Sequence, residues 1–227
     1  MLDWTKITTD LNNVGYAKIP NLLTADECRK LQSYYDDVKL YRSTINMQRY
    51  RFGKGEYKYF SYPLPSVIQS LRETTYEPLA SIANDWMSKL RIDVIYPKDH
   101  KSFISQCHAK NQLRPTPLIL KYETDGFNTL HQDLYGEIYF PFQVVIVLTQ
   151  KGRDHEGGEL VFVEQLPRAQ SKAEVISPDQ GDAIIFTTNF RPVKGSTGFY
   201  RAKMKHGISP LKSGQRFALG IIFHDAT

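Results

Sequence analysis

The sequence predicts an α+β protein: a C-terminal double-stranded β-helix (jelly roll) core with an N-terminal helical layer packed on one sheet. Up to about residue 115 the apolar residues recur at helical spacing. Beyond Arg114-Pro-Thr-Pro117 they form short runs punctuated by Gly, Pro and Asp, the texture of a sandwich or barrel. In the last run, Phe217, Leu219, Ile221 and Phe223 alternate with Arg216, Ala218, Gly220 and Ile222. Bulk on one side, with Arg beside small residues on the other, fits a sheet backed by helices and facing a cavity. The expectation is one domain over 1–227, with 1–115 as a mainly helical support region and 116–227 as the jelly-roll catalytic core.

The elements follow in order. Thr24-Ala-Asp-Glu27 has the form of a capping box, and Cys28, Leu31, Tyr35 and Val38 then share one helical face. A second amphipathic stretch aligns Leu79, Ile82, Ala83, Trp86 and Leu90, and a third runs from about Lys98 to Lys110. Pro63 and Pro65 separate the first two, preceded by an aromatic and basic stretch from Tyr50 to Tyr62. The predicted strands are Leu118–Tyr122, Gln143–Leu148, Glu159–Val163, Ala183–Phe186, Tyr200–His206 and Phe217–Phe223.

Composition narrows the function classes. The chain has 227 residues, 29 Lys+Arg against 24 Asp+Glu, and 12 Phe, 14 Tyr and 2 Trp. With 41% hydrophobic residues it is long enough to bury a core, and it is not a disordered chain. No apolar run reaches ~18 residues, so no helix is expected in a membrane. The start has no basic-then-apolar leader, so a cytoplasmic protein is expected. Cys28 and Cys107 stand alone, which argues against a disulfide framework or a zinc ribbon. A net charge of +5 permits a polyanionic partner without requiring one.

The chemistry is carried by His131-Gln132-Asp133, then His206, then Arg216. Residues two apart in an extended segment face the same side, so His131 and Asp133 can share one metal ion while Gln132 points away. Two imidazoles and one carboxylate describe a facial triad with open positions for further ligands. His206 ends a strand on the same face as Tyr200, Ala202 and Met204, and the turn Ile208–Gly214 would return the chain as its antiparallel neighbour, bringing Arg216 near His206. An inward guanidinium requires a carboxylate partner. Because Ala183 to His224 contains no acid, a ligand such as 2-oxoglutarate can supply it. Taken singly, each of these residues also reads as a turn, a satisfied core histidine or a strand end. His155-Glu156 reads as a solvated turn, His100 and His108 as polar helix surface, and His224-Asp225 as a cap on the last strand.

The segment Leu120-Lys-Tyr-Glu-Thr-Asp-Gly-Phe-Asn-Thr-Leu-His-Gln-Asp-Leu-Tyr-Gly136 resembles the first metal-binding strand of Fe(II)/2-oxoglutarate-dependent dioxygenases. More narrowly, the chain resembles a prokaryotic group of predicted nucleic-acid-base oxidative demethylases. That likeness rests on Tyr50-Arg-Phe-Gly-Lys-Gly-Glu-Tyr-Lys-Tyr-Phe60, Cys107-His-Ala109, Arg114-Pro-Thr-Pro117, Gly157-Gly-Glu-Leu160, Glu164-Gln-Leu-Pro-Arg-Ala-Gln-Ser171, Gln180-Gly-Asp182, Arg191-Pro-Val193 and Gly220-Ile-Ile-Phe-His-Asp225. The resemblance implies that His131, Asp133 and His206 ligate Fe(II) and that Arg216 grips the far carboxylate of 2-oxoglutarate. Tyr122 either sets its hydroxyl against this co-substrate or is a core strand tyrosine. O2 would be the oxidant.

The implied substrate is an alkylated nucleic-acid base, damaged or single-stranded. Tyr41 to Tyr62 and Ala183 to His224 are the basic and aromatic stretches that could hold it. Arg51 and Tyr57 in the first stretch, and Arg168 and Gln170 on one side of an extended segment, are candidate substrate contacts. The competing expectations are a hydroxylase of a small molecule, amino acid or peptide side chain, and a catalytically dead iron and 2-oxoglutarate sensor.

Overall fold

The computed structural model describes residues 2–134 and 136–227. The N-terminal half contains α1 (Trp4–Val14), β1 (Tyr16–Ile19), α2 (Ala25–Ser33), β2 (Tyr41–Asn46), β3 (Gly53–Lys54), β4 (Glu56–Phe60), α3 (Ser66–Lys89) and α4 (His100–Ala109). The remainder is strand: β5 (Leu118–Glu123), β6 (Phe127–His131), β7 (Phe142–Val147), β8 (His155–Gly157), β9 (Leu160–Gln165), β10 (Lys172–Ile176), β11 (Ala183–Thr187), β12 (Phe190–Gly195), β13 (Gly198–Ile208) and β14 (Leu211–Ile222).

These strands form two sheets. The major sheet runs β1-β11-β7-β14-β5-β4-β2, with β8 on β14; the minor sheet runs β10-β9-β13-β6-β3, with β12 on β13. A jelly roll backed by helices is therefore the architecture. One apolar core lies between the helices and the outer face of the major sheet, and includes Trp86, Tyr76, Phe103, Phe140, Leu219, Ile221 and Phe223. A second lies inside the sandwich, around Tyr122, Phe162, Phe186 and Met204. The alternation in β14 is realised as expected. Leu219, Ile221 and Phe223 enter the helix-side core, while Arg216, Ala218, Gly220 and Ile222 line a cavity between the sheets.

Three features depart from the sequence expectations. The N-terminal half is more than a helical support, because β1, β2 and β4 extend the major sheet and β3 pairs with β6 in the minor one. Aromatic alternation in Tyr57, Tyr59 and neighbouring residues carries the strand signal there. The face begun at Cys28 stops at Ser33, after which the chain continues through short 3-10 turns, leaving Val38 exposed. β13 and β14 are not paired with each other: β13 pairs with β12, β9 and β6, and β14 pairs with β5, β7 and β8. The turn between them crosses from one sheet to the other. Among the described residues, no helix is long and apolar enough to cross a membrane.

The C-terminal end of β14 is pinned by a buried ion pair. Arg72 on α3 donates to Asp225 Oδ1 at 2.8 Å and to the carbonyls of Ile222, Phe223 and His224. Asp225 also accepts from Tyr62 and lies 2.9 Å from His108 Nε2. Asp225 thus ties the last strand to α3 and α4 rather than capping the strand in solvent. His100 is likewise buried rather than surface-exposed, with Nε2 2.9 Å from the Phe223 carbonyl.

Removing either member of the pair, by Arg72→Ala or Asp225→Ala, leaves an uncompensated buried charge and is expected to cost about 3–5 kcal/mol in denaturant unfolding. The neighbouring histidines set an acid limit. Burial, reinforced by the nearby Arg72 charge, pushes both His100 and His224 down to about 4. Between the unfolded value near ~6.5 and that level, the unfolded chain binds protons that the native chain refuses. Stability is therefore full above that upper value and falls as pH drops through the window. A urea midpoint that is flat across this range would contradict the assignment.

Candidate active site

The site is built where the sheets face each other. His131 ends β6 and stands opposite His206 of β13 in the antiparallel register, with ring centroids 4.2 Å apart. Asp133 follows β6 and places its carboxylate between them, Oδ1 3.4 Å from His131 Nε2 and Oδ2 3.3 Å from His206 Nε2. One ligand atom from each of these side chains lies within 4.8 Å of the others. Gln132 turns aside as its position predicts, and its amide donates to the Asn189 and Met204 carbonyls, which holds the His-x-Asp turn against β13.

The electrostatics suit a cation. Burial opposes ionisation of Asp133, but hydrogen bonds with His131 and His206 outweigh it and hold the carboxyl well below the usual carboxylate range. Burial pushes His206 down, towards its neutral form. His131 Nδ1 lies 2.7 Å from the Thr129 carbonyl, which can only accept, so this contact selects the tautomer with Nε2 bare. Two imidazole nitrogens and one ionised carboxylate, with no fourth protein ligand in the cluster among the described residues, fit a divalent iron with open positions. A closed zinc set is not available here: Cys28 and Cys107 are buried in the helix-side core.

Arg216 projects into the same cavity from β14, opposite Tyr122 of β5 in the register. It reaches the site from the facing sheet, not from a strand beside His206 as the turn suggested. Its guanidinium is buried, with Nη1 and Nη2 unpartnered among the described residues. Its close passage depends on Gly158, at φ +70, where a Cβ would lie 2.9 Å from Arg216 Cδ. Gly55 is held open in the same way, since a Cβ there would approach the Tyr122 ring to 2.8 Å.

The cavity measures about 240 Å³ and contains His131, Asp133, His206, Arg216, Tyr122 and Tyr57 in its lining. The remaining substrate candidates fall elsewhere. Arg51 is exposed, and Phe52 beside it reaches the cavity instead. Arg168 and Gln170 are exposed in the turn joining β9 to β10, the outer edge of the minor sheet. Sequence reasoning missed Gln143, whose carboxamide nitrogen lies 3.1 Å from His206 Nε2 across the cavity. A single polar residue within the apolar run Phe142–Val147 was its signal. His155 is buried on β8, not solvated, and burial and the Arg216 charge both push it down.

Fold and site together define an oxygenase of the jelly-roll class. Over residues 55–226 the chain belongs to the Oxygenase-NA family, described as an oxygenase catalysing oxidative methylation of damaged DNA. An uncharacterized Mycobacterium tuberculosis protein, present in two strains, is 46% identical over 167 residues, covering 74% of this chain and 72% of its own length. Among solved structures, a Pseudomonas putida prolyl-4-hydroxylase aligns with TM-score 0.59 at 15% identity, over 98% of this chain and 100% of its own. A 2OG-Fe(II) oxygenase-family oxidoreductase from Burkholderia pseudomallei aligns with TM-score 0.53 at 16% identity, over 97% and 90%. The shared fold is that of the 2-oxoglutarate/Fe(II) oxygenases.

Calorimetric titration of metal-free protein with Mn(II), a redox-silent surrogate, is expected to show one site. Asp133→Ala should weaken it by more than about 100-fold, exceeding the loss typical of outer partners. Equal affinity in wild type and variant would remove the cluster from metal binding.

Proposed function

We propose that this oxygenase uses Fe(II), 2-oxoglutarate and O2 to hydroxylate a C–H bond, and that its substrate is an alkylated nucleic-acid base undergoing oxidative demethylation. The observation that carries the co-substrate is Arg216: a buried guanidinium with both terminal nitrogens unpartnered among the described residues, in one cavity with the His-Asp-His cluster. A buried cation without a counter-charge is strongly disfavoured, so the site is built to receive an anion. A keto-diacid answers both ends, with one carboxylate for the guanidinium and a keto acid for the metal.

In this reading His131, Asp133 and His206 would hold the iron, which with 2-oxoglutarate and O2 would supply the chemistry that gives succinate, CO2 and one hydroxylated C–H bond. Arg216 fixes the far carboxylate, and the buried Tyr122 hydroxyl, with Arg216 near its ring, is available as a further donor. Gln143 offers its carboxamide 3.1 Å from His206 Nε2, where it would orient a polar group. Leu120, Val145, Leu160 and Ile208 exclude water around the reacting centre. On an N-methyl group, the hydroxymethyl product breaks its C–N bond, with formaldehyde leaving and the amine regained.

The base-directed reading is supported by the family description and by the cavity mouth. Tyr50 and Phe52 stack on each other at 5.5 Å, both are exposed, and Phe52 enters the cavity lining. Arg49 and Arg51 flank them in the sequence, as does Lys54, which is paired with Asp125. Exposed rings interleaved with cations are the features that hold an unstacked base and its phosphates.

With Fe(II), ascorbate and O2, the purified protein is expected to convert 2-oxoglutarate to succinate, and to release formaldehyde from methylated oligonucleotides. Arg216→Gln should raise the KM for 2-oxoglutarate by roughly 10–100-fold, the loss expected for an unpaired carboxylate. Succinate formation without formaldehyde from any methylated nucleic acid, but with hydroxylation of a peptide or small molecule, would replace the substrate assignment. Absence of succinate would overturn the iron and 2-oxoglutarate reading itself.

A further inference from the structure

The outer face of the minor sheet carries a row of cations that the cavity does not use. Along β13, Ala202, Met204 and His206 are buried inward, while Phe199, Arg201, Lys203 and Lys205 are exposed on the opposite face. Alternate residues on a strand are roughly 6.6 Å apart, so this row extends for about 20 Å. Among the described residues Arg201, Lys203 and Lys205 have no ion-pair partner, and Arg201 lies over the Phe190 ring at 5.1 Å.

The neighbouring strands keep this face free of acid. From β12, the register sets Lys194 opposite Phe199, Pro192 opposite Arg201 and Phe190 opposite Lys203. From β9 it sets Gln165 opposite Lys203 and Val163 opposite Lys205, and β10 continues the same face with Ala173 and Val175. The nearby carboxylate Glu164 is paired with Arg191. An acid-free strip with several unpaired cations on a rigid strand holds its charges apart at a fixed spacing, although mutual repulsion opposes it.

The far end of the row opens into a second cleft of about 420 Å³, lined by Asn12, Asn13, Lys89, Arg191, Lys194 and Phe199 among others. Phe199 is 41% exposed, with the Lys89 ammonium 5.6 Å from its ring centre. The near end, Lys205, precedes the proposed iron ligand His206, one strand away from β6. The row therefore links the strands that build the active site to a basic cleft holding an exposed aromatic ring.

We infer that this face is a track for a single-stranded nucleic acid, with Arg201, Lys203 and Lys205 on successive phosphates and Phe199 stacking a base at the far end. The inference rests on the nucleic-acid reading of the active site and adds to it where the flanking strand lies. Cations at regular spacing meet a backbone of regularly spaced anions, and a terminal aromatic ring accepts any base without reading its sequence.

The test is fluorescence anisotropy with a single-stranded oligonucleotide of roughly 15 nucleotides, carrying one methylated base, across a salt series. Three proteins are compared: wild type; Arg201→Gln/Lys203→Gln/Lys205→Gln; and a control losing as many charges around α4, Lys98→Gln/Lys101→Gln/Lys110→Gln. At ~0.7 per phosphate for single strands, the track variant should lower the slope of log affinity against log salt by about 2, and the control should not. Phe199→Ala should weaken binding roughly 10-fold with the slope unchanged. If wild type binds and the track variant keeps its slope, or the control loses as much, the track is wrong and the active-site reading stands. If wild type shows no salt-dependent binding of any oligonucleotide, the track and the nucleic-acid substrate fall together, while 2-oxoglutarate turnover still reports on the iron site.

Discussion

The register of β13 against β6 places His206 opposite His131, and the candidate site is organised around that pairing. A shift by one residue would send one imidazole through the sheet to solvent, because the side-chain period of a strand is two. The register is held by apolar residues on the inner face, with Met204 and Ile208 flanking His206 in the sandwich core. Gln132 adds a second constraint by tying the turn after β6 to the Met204 carbonyl. Asp133 then has one position left, between two imidazoles, and its ionised form is favoured there despite burial.

The facing sheet completes the site. Arg216 and Tyr122 are opposite one another on β14 and β5, and both point away from the helices. The helices keep that sheet in place by filling its other side with Leu219, Ile221 and Phe223. Arg72 and Asp225 lock the end of the same strand to α3. A jelly roll backed in this way can leave polar and unpaired groups on its inner face, because the burial that stabilises the sheet lies on the other face. Arg216, whose Nη1 and Nη2 have no partner among the described residues, is thus held in place by packing elsewhere.

The surfaces divide between recognition at the cavity and charge outside it. Phe52, stacked on Tyr50, is exposed and lines the cavity, while the cationic row of β13 runs over the outside of the minor sheet. Both are compatible with a modest net charge of +5, because charge of one sign is concentrated on single faces rather than spread evenly. The proposed substrate would be gripped without base-specific contacts outside the pocket, leaving discrimination to the cavity.

Strand alternation and residue chemistry, both local properties, made much of the protein legible. The alternation of β14 predicted its buried and cavity faces residue by residue, and the candidates His131, Asp133 and His206, picked from residue chemistry, do come together, with Arg216 in the same cavity. Tertiary structure decided what depends on which strands become neighbours. It joined β1 to β4 to the sheets, carried Arg216 across to the facing sheet, and buried His155 and His100, which local polarity had suggested were exposed. It also brought Gln143 to His206 across 63 positions of chain, and separated Arg168 and Gln170 from the cavity they resembled lining. Periodicity along a chain reports which side of a strand a residue occupies; only pairing and packing between distant segments determine what lies opposite that side.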